Sequence, residues 1–201
     1  MIPTSIDGTD ITGATIDGTD VQEITVDGQT VFTAEFFEGF EDGNINEYQG
    51  NTNAFTVQSN TVFEGNFALE NVIEYNTIYR QDAMSPGDKA EVFVRAGVPQ
   101  FWFGYDGSVG YLASANTFQN DITIFRYENN NLTPIGTGPA TLPSNQFIKF
   151  IIEYFSPNIN FRVEDLSGNT LGSTSVTDST HTETGFGFRG QLAFYDSLTI
   201  S

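Results

Sequence analysis

Apolar and polar residues alternate with a period of two through much of this chain. In "QFIKFIIEYFS", Ile148, Phe150, Ile152 and Tyr154 fall on one face, and Phe147, Lys149, Ile151, Glu153 and Phe155 on the other. In "NINFRVEDLSGN", Ile159, Phe161 and Val163 oppose Asn160, Arg162 and Glu164. Successive side chains of a strand point to opposite faces, so each segment reads as a strand with one face on a core. After the second, "DLSGNTL" closes a hairpin at Ser167-Gly168-Asn169. Comparable runs occur at 54–58, 67–73, 78–81, 90–96, 101–105, 110–115, 122–127, 146–155, 159–165, 170–176, 184–189 and 192–200, separated by Gly, Asn, Asp and Pro clusters. No stretch sustains a helical period. The pattern predicts an all-β fold, an antiparallel sandwich over 35–201.

The first 34 residues have a different texture. Ser5-Ile6-Asp7-Gly8-Thr9-Asp10 returns as Thr15-Ile16-Asp17-Gly18-Thr19-Asp20 and again as Thr25-Val26-Asp27-Gly28-Gln29-Thr30. Asp-Gly between β-branched residues is a short-range turn signal, so 1–34 reads as a short repetitive β stem with turns at each Asp-Gly pair. Its apolar residues Ile6, Ile11, Ile16, Val21, Ile24, Val26 and Val31 are too few for a free-standing core. Repeat units that cannot bury their own face bury it against copies. The stem is therefore expected to make a homo-oligomer, with three-fold assembly placing Ile and Val on the axis. A solvated polar tail is the alternative.

Charge narrows the partners. The chain of 201 residues has 26 Asp plus Glu against 7 Lys plus Arg, a net charge of −19. That balance excludes nucleic acid, whose phosphates are met by clustered cations, and disfavours anionic membranes. Acids dispersed along the chain, with lysine only at Lys89 and Lys149, suit a protein working in molar salt, where repulsion is screened. An ordinary acidic surface is the plainer reading. Cysteine is absent, which removes disulfides, thiolate nucleophiles and zinc-thiolate sites. The start "MIPTSIDGTD" has neither a basic end nor an apolar stretch, so a secretory leader is not expected. No apolar run is long enough to insert in a membrane.

From residue 37 onward, "GFEDGNINEYQ", "VFEGNFALE", "FWFGYDGSVGYLASAN", "DITIFRYENNNL", "FRVEDLSGNTL", "TGFGFRG" and "LAFYDSLTIS" follow one another. In that order they resemble a concanavalin A-like jelly roll of the laminin-G or carbohydrate-binding kind. The pairing of a Gly-Asp repeat stem with such a head is similar to surface and tail proteins of viruses of halophilic archaea. The resemblance implies a jelly-roll β-sandwich head at the virion surface, a capsid turret or tail fibre contacting other virion proteins and host surface glycans. An extracellular setting is the alternative. By analogy with fibres it implies a trimer, and a pentamer if the protein stands at a capsid vertex. It also implies a structural Ca²⁺ joining first and last strands. The matching positions are Glu41, with Asp42 as a second candidate, the carbonyls around Glu64 and Asn66, and Asp196.

Catalysis has little to stand on. His181, the one histidine, lies in the polar stretch "TDSTHTETG" and reads as a solvated loop residue. There is no G-x-S-x-G elbow. Hydrolases of the resembled fold display E-x-D-x-E or E-x-D-x-x-E on one strand, and neither string occurs here; the nearest acids are Glu91, Glu153 and Glu164 with Asp165. The chain is therefore expected not to be an enzyme, the alternative being a secreted carbohydrate-active enzyme or its accessory module. Sugars are gripped by aromatic faces and hydrogen-bonding side chains. If Phe101, Phe103 and Tyr105 face the core, Trp102 faces outward. Arg95, Lys149 and Arg162 also fall on the non-core side of their strands, and these four are the candidate glycan contacts. Cross-strand pairing of the cations with Glu91, Glu153 and Glu164 is the competing reading.

Overall fold

A computed structural model describes 36–95 and 97–201 and, before them, the backbone of six short strands. The chain divides into two compact units, Met1–Phe36 and Phe37–Ser201.

In the first unit the ten-residue repeat is a hairpin repeat. β1 (Ser5–Ile6) pairs with β2 (Thr9–Asp10), and β3 (Thr15–Ile16) with β4 (Thr19–Asp20). β5 (Glu23–Val26) pairs with β6 (Gln29–Thr33), with a register shift between Ile24 and Thr25. Ile6 faces Thr9 and Ile16 faces Thr19, with an Asp-Gly pair between them in sequence, the shortest common hairpin connection. The Asp-Gly turns, Ile11, Val21, and the side chains of Ile6, Ile16, Ile24, Val26 and Val31 lie outside the described residues.

The second unit is an antiparallel jelly-roll sandwich. One sheet has the strand order β19 (Thr170–Thr177), β18 (Asn158–Glu164), β17 (Phe147–Phe155), β12 (Lys89–Arg95), β21 (Phe194–Ile200), β10 (Ala68–Asn71), β9 (Phe55–Gln58). An eighth strand, β7 (Phe36–Glu38), also pairs with β21. The other sheet has seven strands: β16 (Asn131–Pro139), β15 (Asp121–Glu128), β14 (Gly110–Asn116), β13 (Val98–Phe103), β20 (Phe186–Gln191), β11 (Thr77–Arg80), β8 (Gln49–Gly50). The last two strands each insert into the interior of a sheet, β20 between β13 and β11 and β21 between β12 and β10.

Alternation sorts the side chains as the period requires. Val92, Val94, Ile148, Phe150, Ile152 and Phe161 of the eight-stranded sheet are fully or almost fully buried, and so are Ile78, Phe101, Phe103, Tyr111, Phe186 and Phe188 of the seven-stranded one. The layers meet through aromatic rings. Phe103 lies 5.5 Å from Tyr154 edge-on, and Phe188 lies 4.9 Å from Tyr195, arrangements worth about 0.5–1.5 kcal/mol each beyond their buried area.

β16 was not expected. "NLTPIGTGP" carries two prolines and two glycines, which reads as loop. It forms because it lies at the sheet edge, where proline breaks no ladder, and because it must be thin. A Cβ on Gly136 would meet Val176 Cγ1 at 2.3 Å, and one on Gly138 would meet the Ser173 carbonyl at 2.5 Å. The edge strands β16 and β19 thus close one side of the sandwich backbone to backbone.

Candidate functional site

The outward side of the seven-stranded sheet carries two adjacent rows of side chains. The register aligns Thr77 with Arg189, Arg189 with Gln100, Gln100 with Ser114, Ser114 with Thr123, and Thr123 with Thr137. One step along every strand the same register aligns Tyr79, Gly187, Trp102, Leu112, Phe125 and Pro134. One row is polar and the other aromatic or apolar, each crossing six strands.

The polar row is internally bonded. Arg189 Nη1 donates to Gln100 Oε1 at 2.6 Å, and Gln100 Nε2 to Ser114 Oγ at 3.2 Å. The hydroxyls of Thr123 and Thr137 lie 3.2 Å apart. These contacts fix the rotamers, and Gln100, Ser114 and Thr123 are buried. Arg189 Nε also donates to the Tyr75 carbonyl at 3.1 Å, and the guanidinium sits 5.0 Å from the Tyr75 ring. Burial lowers the Arg189 pKa.

The apolar row is built around Trp102. Its indole N–H donates to Thr77 Oγ1 at 3.2 Å. Its face is taken by Tyr105, stacked at 4.3 Å, and its edge by Tyr127 at 5.3 Å. Trp102 is consequently only 3 % exposed, and the accessible part of the platform belongs to the half-buried Tyr79, Phe125, Tyr127 and Leu132 packed around it. Gly187 makes the row continuous. A Cβ there would lie 2.4 Å from the Ile78 carbonyl and 2.9 Å from Tyr79 Cβ.

Tyr105 corrects one expectation. It does not face the core with Phe101 and Phe103. β13 ends at Phe103, and Gly104 (φ +53°) turns the backbone, a conformation that glycine adopts without strain. The next side chain therefore lands on the outward aromatic row. Burial pushes the Tyr105 hydroxyl up to about 12, and it stays a neutral donor, to the Gly107 carbonyl at 3.1 Å.

The other three expected glycan contacts lie on the far side of the molecule. Arg95, Lys149 and Arg162 project from the outward face of the eight-stranded sheet, so Trp102 shares no surface with them. Lys149 bridges Glu91 at 3.2 Å and Glu164 at 3.7 Å, and Arg162 pairs with Glu164 at 2.8 Å. Lys89 also pairs with Glu91. Burial pushes Glu91 up, but the two lysines outweigh it and its pKa is lowered. Arg95 sits 5.9 Å from the Phe147 ring, and Glu153 accepts from Asn160 at 2.9 Å. At one end of this face is a shallow depression of about 380 Å³ lined by Phe155, Asn158, Asn160, Ser175, Val176 and Thr177.

The structure brings Glu41 and Asp196 to the same loop, but through amide protons. Glu41 accepts from the Asn66 and Phe67 amides at 2.9 and 3.0 Å, and Asp196 from those of Phe63 and Glu64 at 2.7 and 3.1 Å. Asp42 binds the Asn44 amide and side chain. Among the described residues no group of three or more acidic or histidine side chains could hold a metal. A calcium ion needs oxygen donors, and in this structure the carboxylates of Glu41 and Asp196 are met by N–H groups.

His181 is also corrected: it is 5 % exposed rather than solvated. Its backbone is held at both ends, the amide donating to the Tyr111 hydroxyl at 3.1 Å and the carbonyl accepting from Tyr154 at 2.8 Å. Tyr111 in turn donates to Asp178 at 2.7 Å, and Arg126 pairs with Asp178 at 2.9 Å. Burial pushes the Asp178 carboxyl up, but the bonds from Tyr111, Thr180 and Arg126 outweigh it and hold it at about 2. The cluster ties the 178–185 loop to the sandwich. Sequence alone offered no sign of it, since its tyrosines and its loop are 27 or more positions apart.

The architecture is that of a jelly-roll, galectin-like β-sandwich. Solved structures of that class are similar in fold. The carbohydrate-binding module CBM66 from Bacillus subtilis matches with a TM-score of 0.55 at 17 % identity, over 72 % of this chain and 91 % of that one. The exoplasmic/lumenal domain of VIP36, bound to Ca²⁺ and Man₃GlcNAc, matches with a TM-score of 0.55 at 11 % identity, over 80 % and 86 %. The GH43 protein BlXynB from Bacillus licheniformis matches with a TM-score of 0.57 at 10 % identity, over 85 % of this chain and 41 % of that one. No protein-family model matches the sequence, and no curated protein matches it. At these identities the likeness is one of fold.

Proposed function

We propose that 37–201 is a non-catalytic glycan-binding head whose ligand lies across the outward face of the seven-stranded sheet. The observation that carries this reading is the double row: pre-bonded Arg, Gln, Ser and Thr beside a platform of Tyr, Trp and Phe. A pyranose offers an apolar ring face and a rim of hydroxyls, and the two rows match one each. The carbohydrate-binding module and the lectin of the same fold add weight. Of the acids nearest to a hydrolytic set, Glu91 and Glu164 are each neutralised by cations and Glu153 is bonded to Asn160, which suits a structural role better than proton transfer.

The setting we propose is a virion surface, where the head contacts host glycans and the hairpin repeat joins several copies. What supports it is the resemblance in sequence, the dispersed acidity and the repeat. Linked sites can add about 10²–10⁴ in avidity without new contacts. The test of the site is calorimetric titration of an oligosaccharide panel with the full chain and with Tyr79→Ala and Lys149→Ala. Binding weakened by the first and untouched by the second is expected. The reverse pattern moves the site to the other sheet. Mass measurement of the full chain against a chain starting at Phe37 tests the oligomer: if each runs at its own monomer mass, the stem does not oligomerise the chain.

A further inference from the structure

The chain has 7 Lys plus Arg against 26 Asp plus Glu, so an unpaired cation is costly to arrange by accident. Arg80, Lys89, Arg126, Lys149 and Arg162 each meet at least one carboxylate. Only Arg95 and Arg189 have no acidic partner within 4.0 Å among the described residues. Arg95 lies over Phe147 on the eight-stranded face. Arg189 stands in the polar row, half-buried, aligned between Thr77 and Gln100.

Its surroundings hold it without neutralising it. Nε and Nη1 are spent on neutral acceptors, the Tyr75 carbonyl and Gln100 Oε1. Nη2 has no partner among the described residues. The ring beside the guanidinium belongs to Tyr75, whose backbone is left-handed (φ +58°) and whose hydroxyl donates to Gln191 Oε1 at 3.0 Å. A bulky residue in that conformation is strained and persists because its surroundings enforce it. The result is a planar guanidinium braced on two sides, with Nη2 unspent. Nη2 is suited to an anionic oxygen, which a guanidinium binds through charge-assisted N–H bonds.

We infer that the glycan accepted by this face carries an anionic group, a uronate carboxylate or a sulfate ester, which seats on Arg189. The inference rests on the glycan-binding reading and narrows it to acidic sugars. The overall charge of −19 disfavours polyanions at long range. Selectivity must therefore come from short-range contact with Arg189, and it survives screening. At 1 M salt the Debye length is about 3 Å, which removes the repulsion but only part of a half-buried pairing.

The test uses the full chain in 1 M NaCl and three probes of one backbone: a glucuronate-containing tetrasaccharide, its carboxyl-reduced form, and the reduced form carrying a sulfate ester. At least tenfold tighter binding of one or both acidic probes over the reduced one is expected, and which of them wins identifies the anion. Arg189→Gln removes that preference, so that acidic and reduced probes bind the variant equally. Arg189→Lys, which keeps the charge and loses the fork, retains part of it. Far-UV circular dichroism and the melting midpoint of each variant confirm folding. Equal affinity for all three probes, or a preference that survives in Arg189→Gln, overturns the inference and leaves the glycan reading standing. Binding of none of the three overturns the inference; if the neutral oligosaccharide panel fails as well, the glycan reading falls with it.

Discussion

The two outward faces of the sandwich are made of the same fold and opposite chemistry. On the eight-stranded face Lys89, Glu91, Lys149, Glu164 and Arg162 form one chain of ion pairs. These five side chains neutralise one another, and Arg95 alone on that face stands without an acid among the described residues. On the seven-stranded face Arg189, Gln100, Ser114, Thr123 and Thr137 are bonded side to side without an acid among them, beside aromatic rings. A self-neutralising surface is a finished surface; one that orients its donors without spending them is prepared for a ligand. The difference shows why a positive residue on a strand is a poor guide to binding by itself. What matters is whether an acid already stands opposite it.

The largest effect is expected at Gly187. Replacing it with valine drives side-chain atoms into the Ile78 carbonyl and Tyr79, at a cost of about 1–3 kcal/mol. The urea midpoint should fall, and glycan binding should fall further than at any single ring. Next comes Phe125→Ala, which removes part of the platform from a half-buried position. A loss of about 1 kcal/mol in binding is expected, roughly fivefold in affinity, with the melting midpoint nearly unchanged. If the midpoint collapses instead, the ring belongs to the core and the contrast between faces is weaker than drawn.

The acid limb of stability sharpens the comparison from the core side. Asp178 is depressed to about 2, so its ionised form is favoured in the folded state. Its contribution is fully present above its ordinary value of about 3.9 and is lost as pH falls through about 2. Tyr111→Phe removes one donor to Asp178 and should move that loss to higher pH, read as the difference between the two pH–stability curves below pH 4. Identical curves would show that Asp178 is not held by Tyr111. The smallest effect is expected for Glu164→Gln on the ion-paired face. It should cost about 0.5–1 kcal/mol, less at high salt, and leave glycan affinity alone.

The sandwich was legible because strand period and turn chemistry are local. The alternation around Phe161 holds through β18, that of β17 is interrupted only at Ile151, which is buried like its two neighbours, and the Ser167-Gly168-Asn169 turn forms with Gly168 at φ +83°. Asp165 accepts from the Ser167 and Asn169 amides there at 2.9 Å each. The candidate site was only half legible. Alternation says that Trp102 and Lys149 both leave the core, but a period of two cannot say by which side of a two-layer body. That is set by strand order. Tyr105 was misplaced because one left-handed glycine ends the period, and β16 was missed because an edge strand tolerates residues that an interior strand forbids. The burial of His181 depends on contacts across 27 and 70 positions, which no local pattern contains.

The place of β20 has a consequence for how the protein is made. Gly187 and Arg189 enter the double row only when Phe186–Gln191 slides between β11 and β13, strands that leave the ribosome much earlier. Until that late segment arrives, the sheet is split into two unjoined parts and the double row is incomplete. On the reading proposed above, the site is therefore assembled only when the fold is.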